Sequence, residues 1–325
     1  MIQSDTPLVG ICVLNYHHPE ETLACIQPLL NREPSTSRIL WLENDAQYMP
    51  ERVLQVLAGA QFPWVEVEAG SGILPPEGTV GVVFNEENLG YAGGNNVGLR
   101  ILHRAGVPYV WVLNNDTLLL EGSSQDLVRA AEFRPEVGAW GTTIRAQHTG
   151  PFRYSVDYFG GIVSMKDFSI ALAQDVPTLD TNPHSYVSGC SLFARTEVLA
   201  EIGLIPDDYF LYYEDPAVSI ELRKRGYRIS AVPEVVIDHI ESLSTGRRSP
   251  LMEFYNRRNR WYFIERYYPE HLGRQKRRMW YTFQKYAFRL KTERIQQEWW
   301  AYKDYKARCL GRTTRDFSRV PFVNH

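Results

Sequence analysis

Several positions pair chemistry-bearing side chains with the end of a sequence element. Asp116 closes the apolar run YVWVLNND (109–116), behind Asn114 and Asn115. A carboxylate there can hold a hard divalent cation whose shell is completed by oxygen ligands and substrate phosphates. An ordinary strand-end turn would also use these residues. Glu214 and Asp215 follow FLYY and open a helical pattern. The positive end of a helix favours ionised carboxylates, whereas burial under Phe210, Tyr212 and Tyr213 favours the protonated form. The residues alone leave that balance open. His239 ends another apolar run and could ligate a metal, contact a phosphate or simply be structural. The stretch ENLGYAGGNNVGLR (87–100) crowds Gly90, Gly93, Gly94 and Gly98 among Asn88, Asn95 and Asn96. Gly93 and Gly94 would let backbone approach a ligand, and a following helix would offer free N–H groups to an anion. The spacing fits neither the dinucleotide fingerprint nor a phosphate-binding P-loop.

These residues need a frame. LVGICVLN (8–15), RILWLEN (38–44), WVEVEA (64–69), TVGVVFN (79–85) and YVWVLNND read as strands, the first like a buried parallel one. Helices are expected from Pro19 to Leu30, over PERVLQVLAG (50–59) and over NNVGLRILHRAG (95–106). Alternation over about the first 130 residues predicts an α/β fold with a parallel sheet, in which ligands bind beyond the C-terminal strand ends. Asn15, Glu43 with Asn44, Asn85, and Asn114 to Asp116 all fall at such ends. Residues 145–187 suggest a hairpin or a loop over the sheet. SLFARTEVLAEIG (191–203) suggests a strand, a Thr196 N-cap and a short helix. Residues 209–239 read as an aromatic strand, an acidic pair, a helix ending at Gly226 and a strand ending near His239. Helices follow from Ser249.

The composition is globular: 325 residues, 44% hydrophobic and 13% aromatic. No apolar run approaches the roughly 20 residues of a membrane span, and the N-terminus reads as a first strand rather than a signal peptide. Cys12, Cys25, Cys190 and Cys309 lack metal or disulfide spacing, so buried free thiols and a cytoplasmic setting are expected. The net charge of −3 is unevenly spread: from His271 onward fourteen Lys/Arg face four Asp/Glu, a tail of +10 on a remainder of −13. A basic, aromatic helix over 277–308 suits an anionic membrane surface, or packs on the rest of the chain.

In order along the chain, VLNYHHPEET (13–22), WLENDA (41–46), ENLGYAGGNNVGLR, VWVLNNDTLLL (110–120), VSGCSLFARTEVLAEIG (187–203), YFLYYEDPAVSIELRKRGYRI (209–229), DHIESLSTG (238–246) and SPLMEFYNRRNRWYFIERYYP (249–269) resemble family 2 glycosyltransferases. Within them the likeness is to the bacterial rhamnosyltransferase-like branch that builds surface polysaccharides. It implies a GT-A fold: a mostly parallel, Rossmann-like sheet flanked by helices. The catalytic domain would cover 1–248, with a nucleotide-sugar half to about 120 and an acceptor half to 248. A helical, basic extension would cover 249–325. Asn15, Glu43 and Asn44 would line the nucleotide pocket. Asn88, Gly90, Tyr91, Gly93, Gly94, Asn95 and Asn96 would shape the floor beneath nucleoside and diphosphate. Asn114-Asn115-Asp116 stands at the D-x-D position, with Asp116 on Mg²⁺ or Mn²⁺ and His239 near metal or diphosphate. Asp215, of the Glu214–Asp215 pair, would be the general base.

The implied reaction is inverting, metal-dependent transfer of a sugar from a dTDP- or UDP-sugar, L-rhamnose from dTDP-rhamnose among the donors, to a saccharide or lipid-linked saccharide. A tail on the inner membrane face and a homodimer are compatible with it. Departures from the family pattern are Glu43 in place of Asp, and Ala217 and Glu221 in the helix after the acidic pair. These leave a catalytically degenerate, carbohydrate-binding or scaffold homologue as the alternative. A sugar nucleotidyltransferase lacks its N-terminal glycine signature here, and a nucleic-acid module does not explain the motifs upstream of the tail.

Overall fold

The protein is described by a computed structural model over residues 8–33, 35–45, 47, 50–148, 154–239, 249–288 and 292–317. Residues 240–246 of the DHIESLSTG motif, the expected boundary at 248, Ala46 of WLENDA, the N-terminal residues 1–7 and the chain end from 318 lie outside these.

The first half alternates as the hydrophobic runs require. It comprises β1 (Val9–Asn15), α1 (Pro19–Arg32), β2 (Ser37–Asn44), α2 (Pro50–Ala58), β3 (Trp64–Glu66), β4 (Val80–Asn85), α3 (Gly90–Arg104) and β5 (Tyr109–Asn114). Pro19 and Pro50 occupy helix starts, where the missing N–H costs nothing. After β5 come β6 (Thr117–Glu121), α4 (Ser124–Phe133), β7 (Val137–His148), β8 (Tyr154–Tyr158), β9 (Gly160–Val163), β10 (Ile170–Ala173), α5 (Val176–Thr181) and β11 (Ser185–Val187). The chain continues through β12 (Ser191–Arg195), α6 (Thr196–Glu201), α7 (Glu214–Lys224) and β13 (Arg228–His239) to the helices α8 (Pro250–Tyr267), α9 (Leu272–Phe288) and α10 (Thr292–Lys306).

One sheet runs β3-β4-β2-β1-β5-β12-β7-β13-β6, with β8 pairing β7; a small second sheet is β10-β9-β11. From β3 to β5 the pairing is parallel. β12 then runs antiparallel to β5, and β13 antiparallel to β6. Residues 145–187 therefore form a hairpin arm and a separate sheet. Side chains alternate between the two faces of the main sheet, as the period of a strand demands. Cys12, Leu40 and Leu42 pack toward α3 and α6, while Ile11, Val13 and Trp41 pack toward α1, α2 and α4.

Three expectations are corrected. The glycine stretch is not a loop: α3 begins at Gly90 and includes Gly93, Gly94, Asn95 and Asn96. A Cβ at Gly94 would lie 2.6 Å from Leu14 and 3.2 Å from Asn44, so this glycine lets the helix press onto the sheet rather than admitting a ligand. Gly93 lies on the partly exposed side of the same helix. The aromatic run before Glu214 is not a strand but a 3₁₀ turn, Asp207–Tyr209, followed by Phe210, Tyr212 and Tyr213 at φ of 66°, 72° and 77°. Thr196 is the first residue of α6 rather than its cap, a position taken by Arg195 without a side-chain bond. Cys12, Cys25 and Cys190 are buried free thiols, whereas Cys309 is free but exposed.

The helices after 249 are built into the body. Arg258 and Asn259 of α8 are both fully buried. Asn259 Nδ2 donates to the carbonyls of Tyr209 (2.8 Å), Leu211 (2.8 Å) and Tyr212 (3.0 Å), and Arg258 Nη2 donates to Tyr209 O (3.0 Å). α10 packs on α8 through Tyr305 against Trp261 and Tyr262. α9 leaves Trp280, Tyr281 and Phe288 exposed. No helix among the described residues is long and apolar enough to cross a membrane.

Candidate active site

The parallel strands end at one edge. Asn15 is aligned with Glu43, Asn44 with Asn85, and Asn114 with Leu14. Asn15, Glu43 and Asn44 do not line an open pocket, however; they are 0%, 1% and 2% exposed. Their polar atoms are spent on each other and on backbone. Asn15 Nδ2 donates to Glu43 Oε2 (2.7 Å), which also accepts from Trp41 Nε1 (3.1 Å). Burial pushes the Glu43 pKa up, against the pull of those two bonds. Asn15 Oδ1 accepts from Thr22 Oγ1 (2.9 Å) and from Asn115 Nδ2 (3.3 Å), which also reaches Thr22 Oγ1 (3.1 Å). Asn115 thus ties the turn after β5 to the start of α1. Asn44 Nδ2 donates to Asn88 Oδ1 and to Gly90 O, both at 3.1 Å, while its Oδ1 accepts from Leu89 N (3.0 Å). Together these residues brace the floor from below.

The glycine stretch does similar work. Asn88 Oδ1 accepts from Gly90 N (2.8 Å) at the start of α3. Asn95 Nδ2 donates to Tyr91 O (3.0 Å). Asn96 is bonded twice to the backbone of Ile205, donating at 2.7 Å and accepting at 3.1 Å. Tyr91 N donates to Phe210 O (2.8 Å), and its hydroxyl donates to Gly189 O (2.5 Å). The start of α3 is therefore bonded to the segment that carries Glu214 and Asp215.

Asp116 and His239 come together from neighbouring strand ends, His239 Nε2 lying 3.3 Å from Asp116 Oδ2. The other carboxylate oxygen, Asp116 Oδ1, is buried with no hydrogen-bond partner among the described residues. Burial works against charge on His239, but Cys190 and Asp116 beside it outweigh that and raise its pKa. Among the described residues no group of three His, Cys, Asp or Glu could hold a metal by itself. A cation at Asp116 would have His239 at hand and would need water or phosphate oxygens for the rest of its shell. That suits Mg²⁺ or a similar hard ion, which keeps waters and shares itself with a substrate phosphate.

Glu214 and Asp215 open α7, next to Ser188-Gly189-Cys190, a turn before β12 that lies in the VSGCSLF motif but to which the sequence alone gives no role of its own. The backbone of Gly189 hydrogen-bonds the Asp215 carboxylate. A Cβ on Gly189 would stand 2.5 Å from Asp215 Oδ1 and 2.7 Å from the Tyr91 hydroxyl, so the turn has room only for glycine. Burial raises both carboxyl pKa values; the proximity of Asp215 raises Glu214 further, and the Gly189 bond partly restrains Asp215. Burial thus prevails over the helix dipole. Glu214 is 4% exposed, whereas Asp215 is only half-buried and is the accessible member of the pair. The buried Cys190 thiol lies among the whole set. Burial raises its pKa, His239 pulls it down, and Asp116 and Asp215 push it up. Cys190 O also accepts from Asn114 N (3.1 Å). Of the departures noted in α7, Ala217 is fully buried, and Glu221 lies 3.4 Å from Lys224 and 3.5 Å from Arg266.

Residues 109–303, more than half of the chain, match the model of glycosyl transferase family group 2. No curated protein matches significantly. Among solved structures, GalNAc-T7 with UDP, GalNAc and Mn²⁺ aligns at a TM-score of 0.55 and 14% identity, covering 81% of this chain; the chain spans about half (48%) of that protein's length. A mannosyltransferase from Pyrobaculum calidifontis in complex with GDP-Man and Mn²⁺ aligns at 0.50 and 14%, covering 94% of this chain and 76% of the other. S. aureus TarS 1-349 in complex with UDP-GlcNAc aligns at 0.50 and 14%, covering 92% and 81%. Such likenesses fix the fold as GT-A, and the family match carries the rest: the chain belongs to glycosyl transferase family group 2, a family of transferase enzymes.

Proposed function

We propose that the protein transfers a sugar, with inversion, from a nucleotide diphosphate donor to a saccharide or lipid-linked saccharide acceptor in surface polysaccharide synthesis. The observation that carries this reading is the Asp116–His239 pair, 3.3 Å apart, with the Asp215 carboxylate held at Gly189, the residue before the buried Cys190. It sets a site for leaving-group charge beside a carboxylate with a raised pKa. The nucleotides and Mn²⁺ in the similar solved structures support a nucleoside diphosphate donor and a divalent cation. Resemblance to the rhamnosyltransferase-like branch favours dTDP-L-rhamnose.

Asp116 and His239 would hold the cation, which when bound offsets the negative charge of the leaving diphosphate. Asp215 accepts the proton of the acceptor hydroxyl as that oxygen attacks the anomeric carbon from the face opposite the diphosphate. A carbon–oxygen bond to the acceptor forms, and the bond to the phosphate oxygen breaks, its electron pair leaving with the diphosphate. The raised pKa makes Asp215 a better proton acceptor at neutral pH than an ordinary carboxylate. Glu214, the more deeply buried member, is pushed up by burial and by the neighbouring Asp215, which disfavours ionisation of both at once. Asn15, Glu43 and Asn44 act as supports, and Gly90 to Asn96 position Tyr91 and the Phe210 carbonyl. We assign 1–248 to catalysis and 249–325 to a basic extension that also braces the acceptor side through α8. Exposed Trp280, Tyr281 and Phe288 on α9 fit contact with an anionic membrane surface.

Calorimetry with dTDP, UDP and GDP, with Mn²⁺ and with EDTA, tests the reading. Metal-dependent binding of one nucleotide is expected, and dTDP would point to rhamnose. Failure of all three to bind would reject it in favour of a degenerate, carbohydrate-binding homologue.

A further inference from the structure

A cavity of about 480 Å³ lies where α8, α9 and α10 face the small second sheet. Its lining is strongly basic: Arg257, Arg260, Arg278, Lys285 and Arg294 against two carboxylates, Glu253 and Glu298. Arg257 pairs with Glu298 and lies 3.0 Å from Glu253. Five basic side chains thus face two carboxylates along the lining. Arg278 reaches outward to Asp167, at 3.6 Å. Arg294 leans on Tyr286, its Nη1 3.0 Å from the hydroxyl. The Arg260 Nε is buried with no hydrogen-bond partner among the described residues. Burial and the nearby Arg260 guanidinium both lower the Arg278 pKa, as expected where two like charges share a partly desolvated wall. Keeping arginines together in such a place costs stability unless an anion completes the site. Guanidinium groups match phosphate oxygens in geometry as well as charge.

The cavity also has an address. One wall is Tyr213, the residue immediately before Glu214 and Asp215. Its hydroxyl donates to Phe168 O (3.1 Å), so the wall is fixed to the loop before β10. The volume falls within the range of small-molecule sites. We propose that this cavity binds the phosphate or diphosphate of the acceptor, so that an acceptor anchored there presents its hydroxyl toward Asp215. This rests on the glycosyl-transfer reading above. The shared chemistry is a phosphate ester, supplied either by a soluble phosphorylated acceptor or by a lipid-borne headgroup.

The test uses the full chain and pyrophosphate in EDTA, so that metal-assisted binding at Asp116 does not contribute. Saturable binding is expected, weakening as salt is raised. Arg260→Gln should reduce affinity tenfold or more, and the double variant Arg260→Gln/Arg278→Gln further. Arg260→Gln removes no hydrogen bond, so its fold can be verified by unchanged nucleotide binding with Mn²⁺. That control also separates failure of this proposal from failure of the donor reading. A second arm floats the protein on phosphatidylglycerol vesicles, with phosphatidylcholine vesicles as reference. Flotation lost in Arg260→Gln and competed by pyrophosphate assigns the phosphate to a lipid headgroup. Pyrophosphate binding with flotation unaffected by the variant assigns it to a soluble acceptor. No pyrophosphate binding, or equal binding by wild type and both variants, overturns the proposal.

Discussion

Asn259 sits inside α8, about fifty residues from the loop it serves, and its replacement should loosen the Glu214–Asp215 pair without touching it. Phe210, Tyr212 and Tyr213 all adopt left-handed backbone angles. For bulky L-residues each such angle costs about 1–2 kcal/mol. The loop persists because one side-chain amide binds three of its carbonyls and Arg258 shares one of them. In Asn259→Ala the Leu211 and Tyr212 carbonyls lose that donor, and Arg258 Nε loses the Asn259 Oδ1 acceptor, now 3.0 Å away. Buried polar groups deprived of a partner cost about 1–3 kcal/mol each, less what relaxation recovers. A loss of about 3 kcal/mol is therefore expected, read as a fall in Tm of about 4–5 °C in thermal unfolding of a 325-residue chain. Transfer should fall as well, because the same loop places Asp215.

The isosteric variant Asn259→Asp separates hydrogen bonding from packing. It keeps the volume and the Oδ1 acceptor but turns a carboxylate toward three carbonyl oxygens. If donation holds the loop, this variant is no more stable than Asn259→Ala at pH 8. Burial and the three carbonyls would raise the pKa of the new carboxyl in the folded state, against the pull of the Arg258 guanidinium at Oδ1. Its relative stability should then be highest below the ordinary carboxylate range and fall as pH rises through the raised value. An Asn259→Asp protein as stable as wild type at pH 8 would show that shape alone fills the position, and would refute the clamp.

Three further outcomes follow from the site. Gly189→Ala drives a methyl into Asp215 Oδ1 and the Tyr91 hydroxyl; turnover should drop on the order of 100-fold for a stability cost of about 1–3 kcal/mol, measured as kcat beside thermal unfolding. Wild-type turnover there would remove Asp215 from the reaction. Asp116→Asn should abolish the gain in nucleotide affinity that Mn²⁺ gives in calorimetry while sparing metal-independent affinity; an undiminished metal effect would place the cation elsewhere. Because burial raises the pKa of Asp215, turnover should fall with decreasing pH on an acid limb above the usual value of about 4. The same shift means that ionising the pair costs folding stability, with none lost below about pH 4 and the cost growing as pH rises through the raised pKa. Asp215→Asn should thus lose transfer yet melt higher than wild type at pH 8 and no higher at pH 3; a lower melting point at pH 8 would contradict the assigned shift.

What could be read from the sequence was what short-range pattern determines. The apolar runs ending at Asn15, Asn44, Asn85 and Asn114 are strands because they are buried on both faces, and their shared edge follows from parallel pairing. Position 90–94 was illegible because glycine and asparagine are poor helix formers, and only contact with Leu14 and Asn44 shows why a helix uses them there. The run FLYY has the composition of a strand. Its actual turn is imposed by Asn259 and Arg258, a contact no local window contains. Asn15, Glu43 and Asn44 were rightly grouped by their place at the strand ends, yet sequence does not reveal that their side chains are turned onto one another.

The position of Asp215 depends on three segments far apart in sequence. Gly189 hydrogen-bonds it from the turn before β12, and Tyr91 from α3 bonds both that turn and the Phe210 carbonyl. Asn259 from α8 holds the other side of the same loop. Removing any one leaves the loop with strained backbone angles and fewer bonds to maintain them. The start of α3, the acidic pair and the first helix after residue 249 consequently form one mechanical unit. A truncation at 248 would remove Arg258 and Asn259 together, and with them the bonds that keep Tyr209, Leu211 and Tyr212 in place. The loop before Glu214 and Asp215 cannot be expected to keep its geometry without α8, however independent the basic helices beyond it prove to be in function.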